Sequence, residues 1–379
     1  MKSIRMDKSY ILMNNIDLGG AEWTPLGTYS APFMGSFNGN GHKIFNFKIS
    51  STTNQYVGLF GYCKGSIANL GVENFTINVS SLSSTYAGGL LGYNYGGTIS
   101  NCYTHGNVTV IYNNSADKQD CYAGGLIGYN TGTIFDSFAN CVVKATSNSG
   151  YNDGYAGGLT AYNSTSGNVE KCYALGTVCS ESTHTMSEGY AGGLIAYSRG
   201  NVINCYTNVS VNAHSIEGYY GGNSYAGGLI AYANGGEISN CYTAGTTAAI
   251  SSDNYETGDS YSGGLIGVVA SQISDIVVKN CYTVGNVSAK VSASRDATVF
   301  IGGLFGWINS NSETITNCYR LSTQTISPSN NTRGKTKIDT TGTTKTKVEI
   351  QTTAFHTNTL EWNSNIWNIV SNAYPTIEK

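Results

Sequence analysis

The sequence predicts an all-β fold, a single-stranded parallel β-helix (β-solenoid) of about eight coils with roughly 35 residues each, capped at both ends. The first observation is that the segment YAGGLLGY, Tyr86–Tyr93, returns in variant form at a nearly constant spacing. The second is that the intervening segments are short, β-branched or aromatic, and bounded by Gly, Asn and Ser, which is typical of strands and turns. The third is that no apolar pattern of helical spacing persists for two turns. Together they indicate stacked coils.

Residues 1–54 precede the repeats and are predicted to form an N-terminal cap and a first coil. Short strands alternate here with turns at Gly19-Gly20 and at Gly39–Gly41. Trp23, Phe33 and Phe37 supply aromatic area that could close one end of a stack, whose terminal strands would otherwise expose an edge.

Residues 55–322 hold the repeats, with three short strands expected in each. A leucine follows the glycines in every copy, and we expect these leucines to form a buried core column: Leu59, Leu90, Leu126, Leu159, Leu194, Leu229, Leu265 and Leu304. Strand alternation then predicts that the Gly or Ala two residues on also points inward. The positions between them, including Leu91 and Ile195, are predicted to point outward.

The same alternation predicts an outward stripe of aliphatic and aromatic side chains along the coils. Its aromatic members are candidates for stacking on the apolar faces of sugars. These are Tyr93, Tyr129, Tyr162, Tyr197, Tyr232 and Trp307. Coverage by the variable loops, or packing against a neighbouring rod, is the alternative for this stripe.

A second strand of each repeat carries a cysteine, which we interpret as a small buried hydrophobic residue. The row comprises Cys102, Cys172, Cys205, Cys241, Cys281 and Cys318. Ser137 and Leu70 stand at the equivalent position in other repeats, which argues against obligatory disulfides or metal binding. The preceding position is usually Asn, and stacked Asn amides can hydrogen-bond along the axis, although Asp136 and Lys171 interrupt that row.

Residues 323–379 differ in composition, because Thr and Lys crowd the segment 333–348 and several aromatic residues follow it. We predict a C-terminal loop and cap, with a short helix near 349–356.

Acidic residues recur two positions before the repeat tyrosine: Asp120, Asp153, Glu188 and Asp259. Stacked carboxylates at a turn could hold calcium through oxygen ligands, which is the one cofactor that the sequence suggests. The alternative is that acidic and amide residues simply favour turns and keep an edge soluble. The sequence leaves both open.

The unit GGL-[IL]-G-Y-N-x-G followed by I-S-N-C-Y resembles the GLUG-motif repeat of bacterial surface proteins, over Tyr56 to about Tyr319. The leader Trp23–Ile44 and the ending Ile366–Lys379 are similar to segments that flank such repeats. The resemblance implies a secreted or cell-surface β-helix used for adhesion or display. It supplies no catalytic residues, and its connection with peptidases does not transfer, since the sequence contains no HExxH.

Composition narrows the function classes. The net charge of −3, without a basic run before the C-terminal segment, disfavours nucleic acid as a partner. No apolar run is long enough for a membrane span, and the first residues lack the apolar core of a signal peptide. We therefore expect a non-enzymatic protein that binds a host or cell-surface glycan or protein. The alternatives are a subunit that self-assembles into filaments and a polysaccharide-active enzyme, although the few arginines are scattered between repeats.

Overall fold

The chain repeats one path through three parallel sheets. The computed structural model describes residues 4–50, 54–113, 119–184, 186–216, 222–252, 258–271, 275–292, 297–309, 312–330 and 334–377. In each repeat the chain crosses the first sheet, bends at the Gly-Leu pair, crosses the second sheet and then passes along two arms of the third sheet. Most coils therefore hold four strands, whereas the sequence predicted three. The prediction of a parallel β-helix is confirmed.

The first sheet is formed by the Tyr-Ala-Gly segments. Its strands are Tyr56–Val57, Thr85–Gly88, Cys121–Gly124, Gly154–Gly157, Gly189–Gly192, Ser224–Gly227, Ser260–Gly263, Thr298–Gly302 and Lys335–Asp339. The second sheet begins directly after the leucine of each repeat. Its strands are Phe60–Cys63, Leu91–Asn94, Ile127–Asn130, Thr160–Asn163, Ile195–Ser198, Ile230–Ala233, Ile266–Ala270 and Phe305–Asn309.

The third sheet has a short arm and a long arm. The short arm contains Tyr10–Ile11, Ser36–Asn38, Ser66–Ala68, Thr98–Ser100, Thr133–Phe135, Asn168–Glu170, Asn201–Ile203 and Gly236–Ser239. The long arm contains Ile16–Glu22, Lys43–Ile49, Gly71–Ser81, Tyr103–Tyr112, Phe138–Ser147, Tyr173–Ser182, Tyr206–Ile216, Tyr242–Thr243, Thr247–Ser252, Val287–Val291, Ile326–Ser329 and Thr343–Lys345. Ile276–Thr283 runs through both arms, and Glu313–Leu321 of the next coil pairs with it in parallel.

Neighbouring coils pair in parallel with equivalent residues side by side, such as Tyr86 with Tyr122 and Ile99 with Ile134. The predicted leucine column lies at the bend between the first two sheets, and all eight leucines are fully buried. The double glycine permits that bend. A Cβ on Gly88 would lie 2.5 Å from the carbonyl oxygen of Leu91, and one on Gly89 would lie 2.8 Å from that of Gly125. Only glycine tolerates such close approach of backbone.

The outward direction predicted for the aliphatic row is wrong. Leu91 and Ile195 are fully buried in the central core, next to the leucine column. The chain turns between Leu90 and Leu91, so consecutive residues both point inward and simple alternation does not extend across the bend. The small residues two positions after the leucine are also not an inner wall, because Ala161 and Ala196 lie in a separate apolar cluster outside the core.

A left-handed residue joins the two arms of the third sheet. The Asn row has φ near +50°, for example Asn101 at 49° and Asn204 at 55°. Asn is among the residues that adopt this conformation most readily. Asp136 and Lys171 adopt it too, at 51° and 53°, so the backbone keeps its turn where the amide row is broken.

The predicted amide ladder is confirmed on either side of that break. Asn101 Nδ2 donates to Asn69 Oδ1 at 2.8 Å, and Asn240 Nδ2 donates to Asn204 Oδ1 at 3.1 Å. The hydrogen bonds between side chains therefore run along the axis, parallel to those of the backbone.

The C-terminal region contributes to the stack before it leaves it. Strands within residues 326–345 extend the first and third sheets. The chain then forms a short α-helix at Lys347–Ile350, a π-helix at Phe355–Thr359, and an antiparallel pair, Trp367–Asn368 with Thr376–Ile377. This last segment packs against the outer face of the third sheet, along the side of the coils, and buries Trp362 and Trp367 there.

Candidate functional site

The corner between the first and second sheets carries two adjacent rows of tyrosines on its outer side. We call this surface the tyrosine corner. The first-sheet row contains Tyr56, Tyr86, Tyr122, Tyr155, Tyr190, Tyr225, Tyr261 and Phe300. The second-sheet row contains Tyr62, Tyr93, Tyr129, Tyr162, Tyr197 and Tyr232, followed by Val268 and Trp307.

Rings within each row are parallel and in contact. From Tyr93 to Tyr232 the centroids of successive second-sheet rings are 4.5 to 5.1 Å apart. From Tyr86 to Tyr261 the first-sheet spacing is 4.5 to 4.8 Å. The two rows meet edge to face, as for Tyr225 and Tyr232 at 5.7 Å and 79°. Both geometries are favourable for aromatic pairs.

The small residues of the repeat lie at the base of this corner. Ala161, Ala196 and Ala231 are fully buried in the same cluster as the tyrosines. They lie between the paired residues of neighbouring coils: Ile195 pairs with Ile230 and Tyr197 pairs with Tyr232. A small side chain here leaves room for the rings from the two sheets to close over it.

The two rows differ in exposure. Tyr122 and Tyr190 are only 8% and 6% exposed, whereas the predicted stripe residues Tyr93 to Tyr232 are half-buried and present part of each ring to solvent. Trp307 is also half-buried and packs on Phe300 at 5.0 Å. The guanidinium of Arg199 lies 5.5 Å from the Tyr197 ring centroid, a cation–π contact.

The structure places the four acidic residues, all half-buried, beside the first-sheet row of the tyrosine corner. Asp120, Asp153 and Asp259 each accept a hydrogen bond from the hydroxyl of the tyrosine two residues on, at 3.0, 3.1 and 3.0 Å. Glu188 accepts the corresponding hydrogen bond from Tyr190. Each acid is thus tied to a ring of the first-sheet row.

The second carboxylate oxygen bonds to the next coil in three of these cases. Asp120 Oδ1 accepts the backbone N–H of Asp153 at 3.0 Å, and Asp153 Oδ1 accepts that of Glu188 at 2.9 Å. Asp259 Oδ1 accepts the N–H of Thr298 at 2.7 Å. These carboxylates therefore serve as acceptors in a ladder along the axis. The described residues contain no group of three or more His, Cys, Asp or Glu side chains placed to hold a metal, and the calcium site stays a prediction.

Burial and neighbouring charge perturb this ladder. Burial raises the pKa of Asp153 well above its usual value, and the negative charges of Glu188 and Asp120 raise it further. Burial also raises the pKa of Asp259. Asn223 occupies the equivalent position without a charge. Its Oδ1 accepts the N–H of Asp259 at 2.9 Å, and its Nδ2 lies 2.9 Å from the hydroxyl of Tyr225.

The predicted cysteine row lies in the core. The six members are buried, and all ten cysteines of the chain are free. Cys102 donates to the carbonyl oxygen of Ser100 at 3.3 Å, and burial raises its pKa to about 12. A protonated, enclosed thiol such as that of Cys102 is chemically inert, and the burial of all six members supports a packing role for the row.

Sequence reasoning missed a further aromatic ladder on the third sheet. An aromatic residue follows each cysteine of the row and also Ser137. Six of these rings stack with centroids 4.6 to 5.2 Å apart: Tyr103, Phe138, Tyr173, Tyr206, Tyr242 and Tyr282. The Cys-Tyr pairs of the repeat were the signal that could have revealed it. The C-terminal segment covers the later rungs, with Trp362 Nε1 donating to the carbonyl oxygen of Asn280 at 3.0 Å.

A cleft of about 500 Å³ opens on the long arm of the third sheet beside Glu73, His105 and Asn140. Glu73 is its carboxylate, and it pairs with Lys43 at 2.7 Å and accepts the hydroxyl of Tyr103 at 2.7 Å. Burial opposes ionisation, but these two hydrogen bonds lower the pKa of Glu73 below its usual value. Among the described residues that line the cleft there is no second carboxylate.

Comparison with known proteins confirms the repeat. The model of the family described as the GLUG motif matches residues 83–109, which cover most of one coil, from the first sheet into the long arm. A relative from Evansella cellulosilytica, provisionally named a Gly-rich membrane protein, is 39% identical over 83 residues. That match covers 21% of this chain and only 10% of the relative's length.

A crystal structure from Bacteroides ovatus, provisionally described as an immunoglobulin A1 protease, is also similar. It is 21% identical, with a TM-score of 0.43, over 99% of this chain and 87% of the other. No helix among the residues that the structure describes is long and apolar enough to cross a membrane.

Proposed function

We propose that the protein is a non-enzymatic β-helix, secreted or held at the cell surface, that serves adhesion or display by binding glycan or protein partners on its tyrosine corner. The observation that carries the proposal is the second-sheet row, in which five consecutive tyrosines, from Tyr93 to Tyr232, keep partly exposed rings on a regular ladder. The GLUG motif and the membrane-protein name of the Evansella relative are compatible with a surface location.

The chemistry of this surface suits contact with neutral partners. A tyrosine presents an apolar ring and a hydroxyl that both donates and accepts, and such residues dominate many interfaces. Stacking on one or both neighbours holds each ring in place, so little side-chain freedom remains to be lost on binding. Repetition of the same ring at about 5 Å intervals would let an extended glycan or a protein strand engage several rungs at once.

The cleft on the third sheet supports the non-enzymatic part of the proposal. Hydrolysis of a glycosidic bond ordinarily uses two carboxyl groups that flank the bond. In this cleft Glu73 has no such partner among the lining residues that the structure describes, and its oxygens are already engaged by Lys43 and Tyr103.

The proposal is tested with a triple variant, Tyr129→Leu, Tyr162→Leu and Tyr197→Leu, probed on a glycan array and for adherence to cells. The matched control is Phe138→Leu with Tyr173→Leu, which changes stacked rings on the third sheet instead. Loss of three contact rings should weaken binding by more than tenfold, since about 1.4 kcal/mol suffices for each factor of ten. Equal binding by the triple variant at an unchanged melting temperature would contradict the proposal, as would the absence of any glycan or cell binding by the unmodified protein.

The filament alternative has one structural observation in its favour. In the described residues the first sheet ends at Lys335–Asp339, a mostly exposed strand with a free edge, and free edges can template the addition of strands. Lys335 and Lys337 on that strand act in the opposite sense, because charge on an edge discourages pairing. Filaments in negative-stain images of the purified protein would favour this alternative over a monomeric binding protein.

A further inference from the structure

At the N-terminal end of the tyrosine corner the second sheet extends further than the first sheet, which leaves a step between them. Residues 26–33 extend the second sheet beyond Phe60–Cys63, through the isolated bridges Leu26 with Phe60 and Phe33 with Cys63. The first sheet has no such extension in the described residues and ends at Tyr56–Val57. A cavity of about 300 Å³ lies at this step, lined by Thr24, Thr28, Tyr29, Ser30, Asn54 and Tyr56 among others.

Tyr56 is the terminal ring of its row. It stacks on Tyr86 at 5.6 Å and 13°, and no other described aromatic ring lies parallel to it within contact distance. Rings further along have parallel neighbours on both sides, as Tyr122 has Tyr86 and Tyr155, each at 4.8 Å. The ladder therefore stops at Tyr56. Among the described residues, no aromatic side chain occupies the next position beyond it.

Tyr29 forms a second aromatic wall of the cavity. Its ring is 71% exposed and stands nearly perpendicular to Tyr62, at 5.6 Å and 87°, so it does not continue the second-sheet stack. Gly27 sets the path of the loop that carries it. Gly27 has φ of +84°, and a Cβ there would lie 2.5 Å from the carbonyl oxygen of Tyr62. The loop is held close to the sheet, which favours a preformed site.

The remaining lining groups are neutral hydrogen-bonding groups. They are the hydroxyls of Thr24, Thr28 and Ser30 and the amides of Asn54 and Gln55, and the described lining contains no carboxylate, lysine or arginine. A charged ligand would lose its hydration here without gaining a partner of opposite charge. A ligand with an apolar face and several hydroxyls finds both a ring to stack on and donors and acceptors to bond.

We propose that this cavity is a subsite for one neutral sugar ring, the apolar face of which stacks on Tyr56 as the next rung of the ladder, with its edge against Tyr29. The volume is at the lower limit of small-molecule sites, which fits a terminal sugar unit better than the middle of a long chain. The ligand class rests on the proposed function, while the site itself is distinct from the stripe Tyr93 to Tyr232.

The test is a titration of the protein with glucose, galactose, mannose and N-acetylglucosamine, followed by saturation-transfer NMR, with glucuronate as the charged comparison. Tyr29→Ala is the main variant, because an exposed ring can be removed without disturbing the core. Tyr56→Leu is the second, and Tyr151→Ala, which removes a tyrosine 61% exposed in another loop, is the control. We expect saturable binding of at least one neutral sugar, weakened about tenfold by Tyr29→Ala and by Tyr56→Leu and unchanged by Tyr151→Ala.

The subsite is refuted if no neutral sugar binds saturably, if Tyr29→Ala binds as the unmodified protein does, or if glucuronate binds as tightly as the neutral sugars. The triple variant at Tyr129, Tyr162 and Tyr197 separates this result from the proposed function. Monosaccharide binding that survives in the triple variant supports the subsite. Array or cell binding that survives Tyr29→Ala but is lost in the triple variant, without monosaccharide binding, overturns the subsite and leaves the proposed function standing.

Discussion

Replacing Ile195 by alanine distinguishes the direction of the second-sheet strand seen in the structure from the one that simple alternation predicts. In the structure Ile195 is fully buried beside the leucine column. Truncating such a side chain removes its burial and leaves a cavity, and similar changes destabilise proteins by about 2–5 kcal/mol. An outward Ile195 would instead change stability by no more than about 0.5 kcal/mol.

The effect can be measured by thermal and urea unfolding followed by circular dichroism. For cooperative unfolding of 379 residues, the unfolding entropy is about 0.8 kcal/mol/K. A loss of about 3 kcal/mol then lowers the melting temperature by about 4 °C. Ile195→Val should lose only about 0.5–1.5 kcal/mol. Ile11→Ala, at a position 55% exposed, serves as the surface control. If Ile195→Ala unfolds with the same midpoint as Ile11→Ala, the inward assignment of this row is wrong.

Four further outcomes follow from the structure. Ala196→Leu should destabilise the tyrosine corner by about 1–3 kcal/mol, since the buried methyl leaves no room for a larger group; a calorimetric melt checks this. Asp153→Asn should raise the free energy of unfolding at pH 7. It should also reduce the amount by which the free energy of unfolding falls as pH rises above 4. The pKa of Asp153 is higher in the folded protein than its usual value, so stability is lost as this carboxyl ionises with rising pH. Asn223 shows that an amide fits at this position of the row. Burial lowers the pKa of His356 to about 4, so the C-terminal segment should lose up to about 3 kcal/mol of stability as pH falls from 6.5 to 4. The fluorescence of Trp362 and of its neighbouring tryptophan, followed against pH, measures this loss. His356→Gln should make that stability independent of pH over the same range. A melting temperature that rises with millimolar calcium would support the predicted calcium site, and one that stays constant would favour the hydrogen-bonded ladder as the role of the acids.

Much of the fold could be predicted from the sequence because the period is regular. Equivalent residues such as Leu126 and Leu159 can stack only if successive coils superpose, and that condition requires a parallel β-helix. The Asn row was predictable for the same reason, since amides at one position in adjacent coils lie one strand spacing apart. Its left-handed backbone adds a local preference of Asn for that turn.

The direction of the side chains around the corner could not be predicted in the same way. Alternation holds within a strand, but the double glycine before Leu90 introduces a bend that periodicity alone does not reveal. Glycine is compatible with many backbone conformations, so its presence does not specify which one the chain adopts. Only the packing of the first and second sheets places Leu91 inside and gathers the tyrosines of both sheets outside.

The acidic residues and the C-terminal segment show the same division. The sequence by itself determined that Asp120 and Asp153 stack at a turn, but hydrogen bonds to Tyr122 and to the next coil depend on how far that turn is buried. It also determined that the last residues are aromatic and form a covering segment. Where Trp362 and Trp367 pack was decided by the tertiary structure, because the third sheet offers an apolar ladder of tyrosines along its side. Local pattern specifies which residues repeat, whereas contacts between segments distant in sequence determine which surfaces those residues bury.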